Sequence, residues 1–266
     1  MNPLLPAETL PDLARRFGGI DRLYGSAGAQ HIRDAHVAVV GIGGVGSWTA
    51  EALARSGVGR LTLIDLDHIA ESNINRQVHA VSDTLGQAKV QAMRERIAGI
   101  NPLCDVLCIE EFAGPDNWPG LLCEPPDAVV DACDQLKAKL AIGAWALQRE
   151  QRRTVFITVG AAGGKRLAHQ VDIDDLAAVT HDPLLAQLRY RLRKTEVVRR
   201  QQKKIGLTCV FSREAVQHPV SLGEGQDGDG SLSCHGYGSM VSVTATFGQC
   251  AAGWVVDQLA QRRLEN

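Results

Sequence analysis

The chain has 266 residues, 45% hydrophobic and 22% charged, with 28 Lys+Arg against 30 Asp+Glu. These proportions exclude a mainly disordered chain, a collagen-like fibre and a coiled coil, and a net charge of −2 gives no global basic excess to argue for nucleic acid. The seven cysteines include no Cys-x-x-Cys pair and the start lacks a basic segment followed by an apolar run, so free thiols in a reducing cytoplasm are expected and a structural zinc is not.

Residues 1–35 are mixed and expected to be helical in part. The apolar, β-branched run 36–40 predicts a buried parallel strand, 47–55 a helix, and 61–64 a second strand. A helix is expected over 89–97, strands over 106–109, 128–130 and 154–159, and a helix over 136–149. Strands alternating with helices predict an α/β fold with a mainly parallel sheet flanked by helices. Beyond Gly164 the texture changes: 182–204 is charged and helical in pattern, and 221–233 is rich in Gly and Asp and expected to be a flexible loop. The stretch 237–256 lacks any charge, but its Ser, Thr, Gln and Gly favour a buried helix against the sheet over a membrane span; peripheral membrane association stays open.

Between the first strand and the first helix after it lies Gly41-Ile42-Gly43-Gly44-Val45-Gly46-Ser47. Glycines permit a sharp turn and close approach of a phosphate, and the helix N-terminus supplies N–H groups and a positive dipole end. Asp65 closes the next strand, where a carboxylate accepts from ribose hydroxyls. Gly41, Gly43, Gly44, Gly46 and Asp65 are therefore candidate nucleotide-binding residues, although this motif alone does not separate NAD from ATP.

A dense polar run follows: Asp67, Ser72, Asn73, Asn75, Arg76 and Gln77, then Lys89. A hydride-transfer site has no use for Arg76 and Lys89, whereas a triphosphate needs its charge neutralised before attack at phosphorus. Asp131 and Asp134 end a later strand, where a carboxylate holds Mg²⁺ against phosphates; read without that context they are turn and cap residues.

In this order, Gly-x-Gly-Gly-x-Gly, Asp65-x-Asp67, Ser72-Asn73-x-x-Arg76-Gln77, Gly86-x-x-Lys89 and Asp131-x-x-Asp134 resemble the adenylating enzymes of the ubiquitin-activating (E1-like) superfamily, which includes activators of the sulfur carriers of molybdopterin and thiamine synthesis. The resemblance covers about residues 16–160, with a weaker echo in 236–259. It implies one Rossmann-like adenylation domain over 1–266: a nucleotide-binding core at about 16–160, a basic helical insertion at 182–204, the loop 221–233 and the buried helix 236–259. It also implies ATP and Mg²⁺, with Gly44 and Asp65 on the nucleotide and its ribose and Asn73, Arg76 and Lys89 on the phosphates. Asp134 would bind Mg²⁺ and be essential, which makes Arg76, Lys89 and Asp134 the catalytic candidates.

Two departures from the carrier-protein activators stand out. Gly19 stands where they bear an Arg that reaches the partner subunit's nucleotide, with Arg22 nearby, and the paired zinc cysteines are missing. The chain also carries a basic run: Arg189, Arg191, Arg193, Lys194, Arg199, Arg200, Lys203 and Lys204, opposed only by Glu196. That density in a slightly acidic protein points to a polyanion such as RNA rather than a merely solvated face.

RFGGIDRLYG at 16–25, the basic run and SLSCHGYGSMVSVTATFG at 231–248 are similar to one branch of the superfamily, the tRNA threonylcarbamoyladenosine dehydratases. The resemblance implies ATP-dependent adenylation of the threonyl carboxylate on tRNA, followed by cyclisation and release of AMP. It implies a homodimer and leaves room for a sulfur-relay partner. Cys234 beside His235 has the setting of an acyl acceptor and stands as a further catalytic candidate, although the cyclisation does not require a thiol. Three alternatives remain: an activator of a ubiquitin-like or sulfur-carrier C-terminus, an NAD-linked oxidoreductase and a non-catalytic scaffold.

Overall fold

The computed structural model describes residues 12–148, 153–195, 203–218 and 237–262. Its centre is a seven-stranded sheet of order β3-β2-β1-β4-β5-β7-β6. The strands are β1 His36–Val40, β2 Arg60–Ile64, β3 Asp105–Ile109, β4 Ala128–Asp131, β5 Val155–Val159, β6 Val171–Asp175 and β7 Thr208–Ser212. All neighbours run parallel except β6 against β7. Val37, Ala38, Val39 and Val40 are almost inaccessible because helices cover both faces of the parallel core.

One face carries α1 Leu13–Asp34, α2 Gly46–Arg55, α3 Lys89–Ile100 and α6 Val241–Ala260; the other carries α4 Leu136–Ala146 and α5 Pro183–Lys194. Asp12 caps α1 by accepting from the Arg15 N–H at 2.9 Å, and a left-handed Gly25 kinks the helix. The uncharged stretch is explained by α6. Its buried residues Val243, Phe247, Ala251, Val255 and Leu259 recur at helical spacing, and Gly248 lets α2 approach so closely that a side chain there would meet Trp48 and the Val45 carbonyl. Among the described residues no helix is long and apolar enough to cross a membrane.

The expected elements before Gly164 are present with shifts of a few residues at their ends. Strands β6 and β7 are additions that the sequence pattern does not predict. The basic helix is shorter than 182–204: its regular part ends at Lys194, with Thr195 as C-cap. The loop 221–233 lies outside the described residues.

Candidate active site

The strand order reverses between β1 and β4, and a cavity of about 480 Å³ opens at their C-terminal ends. Its wall combines the glycine turn (Gly41, Gly43, Gly44), Asp65, Asp67, Ser72, Asn73, Arg76, Gln77, Lys89 and Asp134. Residues far apart in the chain thus share one crevice. Thr244 of α6 and the 160–162 segment after β5 complete it.

The turn itself is tightly determined. A Cβ at Gly46 would collide with the Gly41 carbonyl, so no other residue can start α2 on this path. No side chain caps α2, which suits its N-terminus to an anion. Gly46 is not on the cavity wall; its part is to shape the turn.

Asp65 is 7% exposed and binds the turn from below: Oδ2 accepts from the Ile42 N–H at 2.6 Å, and Oδ1 from the Asp67 N–H at 2.9 Å. Burial raises its pKa, against the opposing effects of the Lys89 ammonium and those two N–H groups. Asp65 therefore serves the turn's shape as well as presenting a carboxylate to the cavity. His79 supports the same turn, its ring Nε2 lying 3.0 Å from the Ile42 carbonyl. Burial pushes the His79 pKa down to about 4, so the ring is neutral near pH 7.

That shift has a consequence for stability. Free histidine titrates at about 6.5, so as pH falls from there towards 4 the unfolded chain takes up a proton that folded His79 refuses. Stability from this group is complete above that window and declines through it. His79→Gln, which keeps a donor without titrating, should flatten the fall in melting temperature between pH about 7 and about 4.5. An unchanged slope would show that His79 does not carry the effect.

The residues expected to hold the phosphates lie in and just after the segment that follows β2. The Lys89 ammonium, 7% exposed, pairs with Asp67 Oδ2 at 2.7 Å. Arg76, 8% exposed, donates through Nη1 to the Ser72 carbonyl at 2.6 Å and to Asn75 Oδ1 at 2.9 Å. A guanidinium has five N–H groups, so donors remain for a ligand. Asn73 is buried and accepts from the Ala70 N–H, closing its own 3-10 turn, while Asn75 reaches across to the Ser239 carbonyl. These two asparagines hold the wall together; Asn75 is not on the wall of the cavity, although Ser72 and Asn73 are.

The two aspartates after β4 part company. Asp134 is exposed on the cavity wall and makes no hydrogen bond or ion pair among the described residues. Asp131 is fully buried: its Oδ2 accepts from the Lys139 ammonium at 2.9 Å and from the Thr158 hydroxyl at 2.7 Å. Its Oδ1 takes the Cys133 thiol at 2.8 Å. Burial works against the Lys139 charge, but Asp131 more than offsets it and the ammonium's pKa is raised. Burial pushes the Cys133 thiol well above its ordinary value, so it is no nucleophile. Lys139 is not recognisable from sequence, because a lysine within a helix reads as solvent-facing.

The basic run is divided. Arg191, Lys194, Lys203 and Lys204 are exposed. Arg189 is half-buried, and its Nη1 donates to the Leu176 and Val179 carbonyls, both at 2.9 Å, so it straps the preceding loop. Arg193 is half-buried. Arg199, Arg200 and Cys234 lie outside the described residues. The helix bearing this run begins at the cavity: its cap Asp182 accepts from the Leu185 N–H at 2.9 Å and from the N–H of wall residue Ala161 at 2.8 Å.

Comparison with known proteins extends this picture. The ThiF family matches residues 18–265. A tRNA threonylcarbamoyladenosine dehydratase of Escherichia coli strain K12 is 42% identical, over 92% of this chain and 93% of the relative. One of Haemophilus influenzae is 41% identical over 94% and 95%. The crystal structure of the E. coli tRNA N6-threonylcarbamoyladenosine dehydratase in complex with ATP superposes with a TM-score of 0.83 at 41% identity, covering 94% of this chain and 96% of the other. With that likeness running through core, basic helix and α6 alike, the chain belongs to the ThiF family, among its tRNA threonylcarbamoyladenosine dehydratases.

Proposed function

We propose that this chain is an ATP-dependent dehydratase acting on threonylcarbamoyladenosine in tRNA. The observation that carries the reading beyond adenylation in general is the tie between Asp182 and Ala161, which starts a basic helix at the wall of the adenylation cavity. Twelve helical residues span about 18 Å, a reach suited to a macromolecular substrate whose reactive end enters the cavity. A hydride-transfer reading leaves Arg76, Lys89 and Asp134 without work.

In the proposed reaction a threonyl carboxylate oxygen attacks the α-phosphorus of ATP and pyrophosphate leaves. The carbamoyl group of the same side chain then attacks the activated carbonyl, AMP leaves, and the nucleoside has lost one water. Arg76 and Lys89 neutralise the phosphate charge from sites where little water screens them. Asp65 and the glycine turn seat the nucleotide.

Asp134 would hold Mg²⁺. The ion favours one or two carboxylates completed by phosphates and water, and this single exposed carboxylate on the cavity wall fits that habit. No cluster of three or more His, Cys, Asp or Glu able to cage a metal occurs among the described residues. When bound, Mg²⁺ neutralises charge on the phosphates.

Exposed Arg191, Lys194, Lys203 and Lys204 would meet the tRNA backbone. Charge reversal at Arg191 and Lys194 should weaken tRNA binding and lower the slope of log affinity against log salt by about 0.7–0.9 for each phosphate that the protein no longer neutralises. An unchanged slope in a filter-binding titration would return these residues to a solvated face. The homodimer is proposed on the segments joined by Asn75 and Ser239, which expose Ile74, Met240 and Val241 beside the cavity. A cytoplasmic location rests on the cysteine usage and the N-terminal pattern of the sequence, and a sulfur-relay partner on the resemblance alone.

The reading is tested by AMP release from ATP. Release that requires tRNA bearing the modification supports it. Release driven instead by a small protein ending in Gly-Gly would favour the carrier-activation alternative.

A further inference from the structure

Gln77 lies on the cavity wall next to Arg76, yet its side chain has no partner among the described residues. It is 6% exposed, its Oε1 is fully enclosed without a hydrogen bond, and its Nε2 donates to nothing among the described residues. The Nε2 sits against the glycine turn, 4.0 Å from where a side chain at Gly43 would begin. Buried amides are almost always satisfied. The enclosed Oε1 is an acceptor that no phosphate can satisfy, so it is the Nε2 donors, unpartnered among the described residues and set against the glycine turn, that are left for a ligand in the cavity.

The direction of this side chain is imposed by its surroundings. The Trp48 indole N–H and the Thr244 hydroxyl both donate to the Arg76 carbonyl at 3.1 Å, which clamps the Arg76–Gln77 peptide from α2 and α6. The Gln77 N–H donates to the Asn73 carbonyl at 3.0 Å. The backbone that carries the amide is thereby fixed, with the amide against the glycine turn beside Arg76.

We propose that Gln77 is a further substrate-contacting residue, its amide N–H₂ donating to a phosphate oxygen of ATP, an inference that rests on the adenylating reading above. It adds a neutral, directional donor to a wall that also carries the cations Arg76 and Lys89. Such a donor reads geometry, where Arg76 and Lys89 read charge.

The experiment compares the full-length protein with Gln77→Leu and Gln77→Glu, measuring melting temperature alone and with ATP, and ATP affinity by calorimetry. Gln77→Leu removes an unsatisfied buried amide, so the free protein should melt no lower than wild type while ATP binding weakens about 10- to 100-fold. Gln77→Glu matches the glutamine in size but places a carboxylate beside the phosphates, and should weaken ATP at least as much. A Gln77→Leu protein that binds ATP like wild type, or a Gln77→Glu protein that does, overturns the proposal. So does a Gln77→Leu protein that melts lower with ATP affinity intact, because the amide then serves the fold. Failure of the wild-type protein itself to bind ATP would instead bring down the adenylating reading, and this interaction with it.

Discussion

Asp134→Ala should abolish turnover while leaving the protein folded. Asp134 is exposed and bonded to nothing among the described residues, so its loss should change unfolding free energy by no more than about 0.5 kcal/mol. The chemistry should suffer far more: removal of one preorganised electrostatic group commonly costs about 100- to 1,000-fold in rate, and a carboxylate in the proposed Mg²⁺-holding role belongs at the upper end. AMP release measured beside a urea unfolding curve separates the two effects. Rates near wild type would remove Asp134 from the site; a collapsed unfolding midpoint would mean that it stabilises the turn.

For the buried partner of Asp131 the outcome reverses. Lys139→Ala should destabilise the fold by about 3–5 kcal/mol, because it leaves the Asp131 carboxylate buried with no cation. For a chain whose total stability is of order 5–15 kcal/mol, that is enough to unfold much of the population on mild heating. The pair sits at the root of the 131–134 turn, so residual activity should be lost as the turn loosens. The double replacement Asp131→Leu with Lys139→Met removes both charges together and should recover a large part of the lost stability. If Lys139→Ala melted like wild type, water or another cation would have to reach Asp131, and the pair would not be dry.

The contrast between Asp131 and Asp134 also shows how far the sequence is legible. The glycine turn, Asp65, Lys89 and Asp134 can be recognised because each stands at a strand end or near a helix start where its chemistry is useful, and Arg76 because it belongs to the dense polar run after β2. What separates the two aspartates is depth, and depth depends on Lys139 and Thr158 folding over from α4 and β5. A motif carries no record of that. Strands β6 and β7 escape prediction for a related reason: β6 is a short, acidic edge strand, Val171–Asp175, whose identity comes from pairing antiparallel with β7. Arg189 counts with the polyanion face in sequence because charge density is visible there, whereas the Leu176 and Val179 carbonyls that hold it are brought near only by the fold. Gln77 belongs to a recognisable motif, but a glutamine's significance lies in whether its amide is satisfied, and only the fold decides that.

The most direct test of the central claim is to incubate the protein with ATP, Mg²⁺ and tRNA carrying threonylcarbamoyladenosine, digest the tRNA and weigh the nucleosides. The account predicts a modified adenosine lighter by one water, with AMP formed only when that tRNA is present. An unchanged nucleoside mass, with ATP consumed on a protein C-terminus instead, would contradict it.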